Sequence, residues 1–218
     1  MVMNGEKARP GTAAEPLTSL RERKKQLTYQ AVSDAAIAMF LERGFDKVSV
    51  AEVAAAADIS KPTLFRYFPA KEDLALHRFA DHEDEAARVV AARSEGESPL
   101  DALHRHLLDG LERRDPVTGL CDAPEVLAFH RMLYGTPSLV ARMYGYQSRS
   151  EAALARALGD GMRDRLAAGQ IIAVQRILAL ENWRRIDAGE SADEMYGDAV
   201  RAAEVAFVQL RSGIEGDR

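Results

Sequence analysis

Nine consecutive residues concentrate the chemistry that this sequence offers to a partner: Ser60-Lys61-Pro62-Thr63-Leu64-Phe65-Arg66-Tyr67-Phe68. Ser60 has the type and place of a helix N-cap, Pro62 falls in the first turn where its missing N–H costs little, and Leu64 and Phe68 share one face four residues apart. Lys61, Pro62, Thr63, Phe65, Arg66 and Tyr67 are then left pointing outward. A surface of cation, hydroxyl and aromatic groups at the start of a short helix suits a B-DNA major groove, which admits a helix and offers acceptors, donors and thymine methyls. A bland solvated surface has no use for such a set.

Other reactive residues lead nowhere comparable. His104 and His106 lie two apart on a helical segment, so they point to different faces and do not share one metal. His77 and Asp81 do share a face, but no glycine-rich phosphate loop or nucleophile elbow accompanies them. Cys121, the single cysteine, lies in a loop beside Asp122 with no base to activate it. The sequence therefore predicts no catalytic residue, no metal site, no cofactor and no enzyme.

The nine residues need a frame, and the preceding forty supply one. Ser49 caps a second short helix, Glu52 stands at its third position to reach back, and Val48 with Val53 occupy the staple positions on either side. Val50, Val53, Ala54 and Ala57 form its apolar stripe, and the helix lasts about two turns before Asp58 and Ile59. Upstream, Ser19 and Glu22 have capping-box spacing, and Val32, Ala35, Ala36, Met39 and Phe40 recur at intervals of three and four. Gly44 follows as the residue able to take a left-handed C′ conformation, with Phe45 in the place of the hydrophobic C″ contact. This first helix is predicted to end at Arg43 and to serve as the floor for the two short ones.

Three runs carry a family likeness. They are Val32-x-x-Ala35-Ala36-x-x-Met39-Phe40-x-x-x-Gly44-Phe45, then Val48-Ser49-Val50-x-x-Val53-Ala54, then Ser60 to Phe68 followed by Lys71. From residue 20 to about 78 the chain resembles the TetR family of transcriptional regulators, and caps, core positions, turn length and the aromatic-basic helix agree together. The resemblance implies that Lys61, Pro62 and Phe65 approach base edges while Ser49, Thr63, Tyr67 and Lys71 hold phosphates, with Arg66 open to either role. Lys61 has donors for guanine O6 or N7, and Pro62 and Phe65 pack against thymine methyls. Two positions depart from the family pattern. Asp58 stands where glycine is usual, a residue that enters the left-handed region with less strain than most. Ala51 stands where a longer side chain could read a base, so base reading is expected to rest on the third helix. Arg21, Arg23, Lys24 and Lys25 precede the motif and suit either phosphates and the minor groove or a solvated helix start.

Charge agrees with this division. The net formal charge is -5, yet residues 17 to 78 hold ten Lys/Arg against eight Asp/Glu, while 79 to 218 hold seventeen against twenty-four. A mildly basic unit on an acidic body is compatible with local DNA binding. The first thirty residues contain no apolar run of signal-peptide length, and no segment approaches the roughly 20 apolar residues of a spanning helix. With one cysteine, the expected location is the cytoplasm. Residues 1–18, with Gly5, Pro10, Gly11 and Pro16, are expected to form a disordered tail. Residues 19–70 are assigned to the helix-turn-helix DNA-binding domain and 71–218 to a helical body.

The body shows no strand-like alternation, so the fold class is all-α. Breaks are expected at Gly96, Asp115 to Ala123, Gly135 to Pro137, Gly159 to Gly169 and Gly189. Ser98-Pro99-x-Asp101, Asp122-x-Pro124-Glu125 and Ser191-x-x-Glu194 mark helix starts. The family resemblance implies a small-molecule effector and a homodimer joined by the last two long helices. Candidate seam positions are Val174, Ile177, Leu178 and Trp183, then Ala199, Ala202, Ala206 and Leu210. Phe129, Met132, Leu133, Met143, Tyr144 and Gln147 are the candidate ligand residues, drawn from two segments rich in Met and aromatic side chains, and a largely apolar effector is expected. The whole reads as a ligand-responsive repressor on a palindromic operator; the alternatives are an effector-independent DNA-binding protein of the same fold and a helical adaptor.

Overall fold

A computed structural model describes residues 20–80 and 82–214 of the 218-residue chain. The predicted cap at Ser19 and the tail before it lie outside the described residues, as do Asp81 and the side chains of Arg21, Glu22, Arg23 and Lys24. The described residues form ten α-helices and no strand: α1 (Leu20–Arg43), α2 (Val50–Ala56), α3 (Lys61–Tyr67), α4 (Lys71–Ala80), α5 (Glu85–Ala91), α6 (Pro99–Glu112), α7 (Pro124–Gly135), α8 (Pro137–Leu158), α9 (Met162–Asp187) and α10 (Ala192–Ile214).

The first helix ends where the sequence says, by a slightly different turn. Gly44 has φ 92° and ψ 140°, an extended mirror-image conformation rather than the left-handed helical one expected. It lets the chain drop at once into a 3-10 turn, Phe45–Lys47, which buries Phe45 against Phe40 with ring centroids 4.9 Å apart. α1, α2 and α3 close over Val32, Ala36, Phe40, Val48, Val53, Leu64 and Phe68, all buried. Ser33, fully buried, donates its hydroxyl to the Leu74 carbonyl at 2.8 Å and so fastens α1 to α4 without an unpaired polar group. The same apolar cluster continues through Leu74, Ala75 and Leu76 of α4 into Leu133 of α7 and Leu139, Met143 and Tyr146 of α8.

In the body, α8 packs on α5 and α9, and α10 packs on α6 and α9. Two further clusters fill it, one around Leu103, Leu154, Ile171 and Phe207, the other around Leu111, Leu120, Ile186 and Met195. Ser98 and Ser191 cap as predicted, accepting from the Asp101 and Glu194 amides. Asp122 does not cap α7; its carboxylate accepts from the Ala192 amide across the fold. The break expected from Gly159 to Gly169 closes sooner, because Asp164 reaches back to the Gly161 amide at 2.9 Å and starts α9 at Met162. The loop before α7 needs a glycine for contact: a Cβ on Gly119 (φ 72°) would lie 1.9 Å from the Ala179 carbonyl oxygen. That close approach, with Asn182 donating to the Thr118 carbonyl at 3.0 Å, lays the loop along α9.

Candidate DNA-reading surface and body chamber

The recognition surface is built by three local devices. Ser49 Oγ accepts from the Glu52 amide at 3.2 Å while the Ser49 amide donates to the Glu52 carboxylate at 2.7 Å, the reciprocal capping box read from the sequence. Arg43 adds an ion pair to the same carboxylate at 2.6 Å and ties the end of α1 to the start of α2. The Ser49 amide and then the Arg43 guanidinium hold the Glu52 carboxyl down to about 2. Asp58 takes φ 52° at the turn, as its side chain permits. Ser60 then accepts from the Thr63 amide at 3.2 Å and starts α3 with Pro62 in the first turn.

This leaves Lys61, Pro62, Phe65 and Arg66 exposed on one side of α3, with Leu64 and Phe68 buried on the other. The Lys61 ammonium stands 5.8 Å above the Phe65 ring, so cation and aromatic form one raised patch. Thr63 is partly buried and its hydroxyl shares a 2.8 Å hydrogen bond with Ser60. Tyr67 is partly buried beneath Tyr29, 4.7 Å away, with the Arg66 guanidinium over its ring. Ala51 is exposed and presents only its methyl.

Lys71 corrects the expectation placed on it. Its ammonium turns inward, donates to the Phe45 carbonyl and sits 4.3 Å from the centroid of the Phe45 ring. The carbonyl at the start of the 3-10 turn is the nearer acceptor, so this cation locks that turn to α4 rather than standing free for a phosphate.

Between the reading unit and the body lies a chamber in two lobes. One, about 370 Å³, is lined by Ile37 and Leu41 of α1, Arg78 and Phe79 of α4, Phe129, His130 and Tyr134 of α7, and Trp183 of α9. The other, about 210 Å³, runs toward α6, α8 and α9 past Met143, Gln147, Gln175 and Arg176. Of the six ligand residues expected, Phe129, Met143 and Gln147 line this space. Leu133 is fully buried, and Met132 packs against the α1–α4 core. Tyr144 stands 55% exposed on the outside of α8. His130 and Tyr134 belong to the segment that supplied Phe129, Met132 and Leu133 but were not chosen as ligand residues, and the sequence reading did not assign Phe79, Ile37, Leu41 or Trp183 to the chamber, because these lie far from that segment along the chain. His130 is buried and carries an unpartnered Nδ1; burial pushes its imidazole down to about 4, so it is neutral at pH 7. In the wall of the smaller lobe, Glu85 accepts from His82 at 2.6 Å and from His106 at 3.2 Å. These hydrogen bonds hold its carboxyl well below the usual range.

The expected seam residues divide in two. Ala199 and Leu210 are buried inside the subunit, Val174 and Leu178 pack against its internal clusters, and Trp183 lines the chamber. Ile177 and Ala202 are exposed, in company with Met162 and Leu166 of α9 and Val205 and Val208 of α10. The outward stripe is thus rotated from the one chosen by sequence, because the inner face packs α9 and α10 on each other and on α6 and α8.

A tri-helical unit whose third helix raises basic and aromatic side chains, set on an all-helical body, defines a helix-turn-helix DNA-binding transcriptional regulator. Residues 32–77 match the family profile of bacterial regulatory proteins, tetR family. It is 29% identical over 188 residues to the HTH-type transcriptional regulator TcmR of Streptomyces glaucescens, covering 82% of this chain and 83% of that one. It is 31% identical over 77 residues to the uncharacterized HTH-type transcriptional regulator YuxN of Bacillus subtilis, covering 35% of this chain and 26% of that one. Among solved structures, NalD, the secondary repressor of the MexAB-OprM multidrug efflux pump in Pseudomonas aeruginosa, shares the fold with a TM-score of 0.54 at 16% identity, covering 83% of this chain and 97% of that one. The relatives are named as regulators of transcription, not as enzymes. No helix among the described residues is long and apolar enough to cross a membrane.

Proposed function

We propose that the protein is a ligand-responsive repressor that binds a palindromic operator as a homodimer and leaves it when a small molecule enters the body. Residues 20–70 read DNA through Lys61, Pro62, Phe65 and Arg66, with Ser49, Thr63 and Tyr67 on flanking phosphates, and residues 71–214 pair the subunits and hold the effector. The observation that carries this reading is the shared wall. Ile37 and Leu41 belong to the first helix of the reading unit, Phe79 belongs to α4, and all three line the chamber. A guest therefore touches the element that positions α3, and any difference in its affinity between two placements of that element shifts the population.

The homodimer rests on the exposed apolar stripe of α9 and α10, which suits a four-helix bundle with a second copy. Two reading units on one face would meet successive major grooves about 34–36 Å apart. Selection of bound duplexes from a random pool tests the reading, because an enriched inverted repeat reports DNA binding, operator symmetry and pairing together. Lys61→Ala should relax sequence preference within the repeat while leaving the salt dependence within about one phosphate equivalent. Enrichment of no sequence, or of one half-site alone, refutes the palindromic dimer.

A further inference from the structure

The lining of the chamber specifies what it takes, given the proposal that the body holds an effector. The larger lobe is walled by flat, stiff rings. Tyr134 lies 4.4 Å from Trp183 at 35°, Phe79 lies 6.3 Å from Phe129 at 26°, and His130 meets Trp183 edge-on at 6.3 Å. His130 Nδ1 and the Trp183 indole N–H both lack a hydrogen-bond partner, although His130 is more than nine-tenths buried. Buried polar atoms without a partner are rare in folded proteins, and two of them in the wall of one cavity mark that wall as one that faces a guest.

The smaller lobe supplies the opposite chemistry. Its carboxylates are already engaged: Glu85 by His82 and His106, Asp115 by the Val117 amide at 3.1 Å. In the larger lobe Arg78 is paired with Asp34 at 2.9 Å, and Glu125 is exposed in the first turn of α7. Arg176 differs from all of these. It is partly buried, lines the lobe beside Gln147 and Gln175, and has no carboxylate partner among the described residues. Its charge acts on the Tyr134 hydroxyl at the junction of the lobes, favouring the ionised form against a larger opposing effect of burial. A guanidinium so placed is suited to grip a carboxylate or phenolate with two parallel donors.

We infer that the chamber binds a planar aromatic acid, its fused rings between Phe79, Phe129, Tyr134 and Trp183 and its acidic oxygens on Arg176. Tyr134, Phe79 and Ala179 line both lobes and form the passage between them. The ring end of such a molecule lies against Ile37 and Leu41, so the same contacts that hold it bear on α1.

Trp183 is the sole tryptophan of the chain and reports occupancy directly. Anthracene-2-carboxylate, whose absorption overlaps tryptophan emission, is titrated into the full-length protein, with 2-(hydroxymethyl)anthracene as the neutral probe and decanoate as an aliphatic competitor. Saturable quenching is expected, with anthracene-2-carboxylate binding about tenfold more tightly than either of the other two. Arg176→Gln should weaken the acid about tenfold and the alcohol less than about twofold, with an unchanged melting transition. Ala179→Phe should close the passage and weaken both. Equal competition by decanoate overturns the aromatic assignment, and equal affinity in Arg176→Gln overturns the acid assignment. Operator release by some other compound, without quenching by either probe, overturns this inference and leaves the ligand-released repressor standing. Saturable quenching that never changes operator affinity does the reverse.

Discussion

Asp73 fastens α4, the helix that directly follows the reading unit, to α8, and its removal is the most informative single perturbation. It sits 5% exposed in the first turn of α4 and accepts four hydrogen bonds: Arg142 Nε and Nη2 at 2.8 Å each, the Tyr146 hydroxyl at 3.1 Å and the Ala70 amide at 3.0 Å. One carboxylate thus caps α4 and binds it to α8. The carboxylate beside it contributes to pushing the Tyr146 phenol up to about 12, after burial, the larger cause. Exposed ion pairs contribute about 0–1 kcal/mol, whereas removing one partner of a buried pair costs about 3–5. The Arg142 side chain is 42% exposed, so this bidentate pair falls between those limits, at about 2 kcal/mol of mutual coupling. Asp73→Ala also strips the Ala70 amide of its acceptor, which adds about 1 kcal/mol. Urea unfolding of the wild type, Asp73→Ala, Arg142→Ala and the double variant, at pH 7 and one protein concentration, closes the cycle. Asp73→Ala should cost about 3 kcal/mol and Arg142→Ala distinctly less. A coupling below about 0.5 kcal/mol refutes the reasoning and makes the pair an ordinary surface contact.

Three other outcomes follow from particular residues. Asp58 holds φ 52°, so Asp58→Val should destabilise by about 1–2 kcal/mol in thermal melts, while Asp58→Gly should change stability by less than about half of that. His130 falls from 6.5 in the unfolded chain to about 4 when folded. The unfolded state then binds the proton first, so stability is full above about pH 6.5 and declines toward pH 4 by an amount on the order of 3 kcal/mol. His130→Phe should flatten that part of the pH profile, and parallel profiles would disprove the assignment. Val205 is 59% exposed, so Val205→Glu with Val208→Glu should leave the subunit fold intact; the proposed seam predicts that the wild type sediments as a dimer and the double variant as a monomer, and equal sedimentation of the two refutes it.

What the sequence determined by itself is the reading unit, because its features are local. The caps at Ser49 and Ser60 need only partners three residues away, and the α1 stripe needs only helical period. The turn at Asp58 needs only a side chain tolerant of positive φ. Those interactions are complete within a few residues, so composition and spacing specify them. Lys71 shows where that ends: its partner is the Phe45 carbonyl, 26 residues away, and no spacing rule announces it. The outward stripe of α9 and α10 was equally hidden, since apolar residues occur on both faces and only packing against α6 and α8 decides which of them are covered. The chamber is the furthest case. Ile37, Phe79, Phe129, Tyr134, Arg176 and Trp183 come from four helices, and the two polar-aromatic segments visible in the sequence supplied part of the wall and also residues that point elsewhere. Helical period fixes which side chains share a face, but the angle at which α1, α4, α7 and α9 cross fixes which faces meet, and that is settled only by the packing of the whole fold.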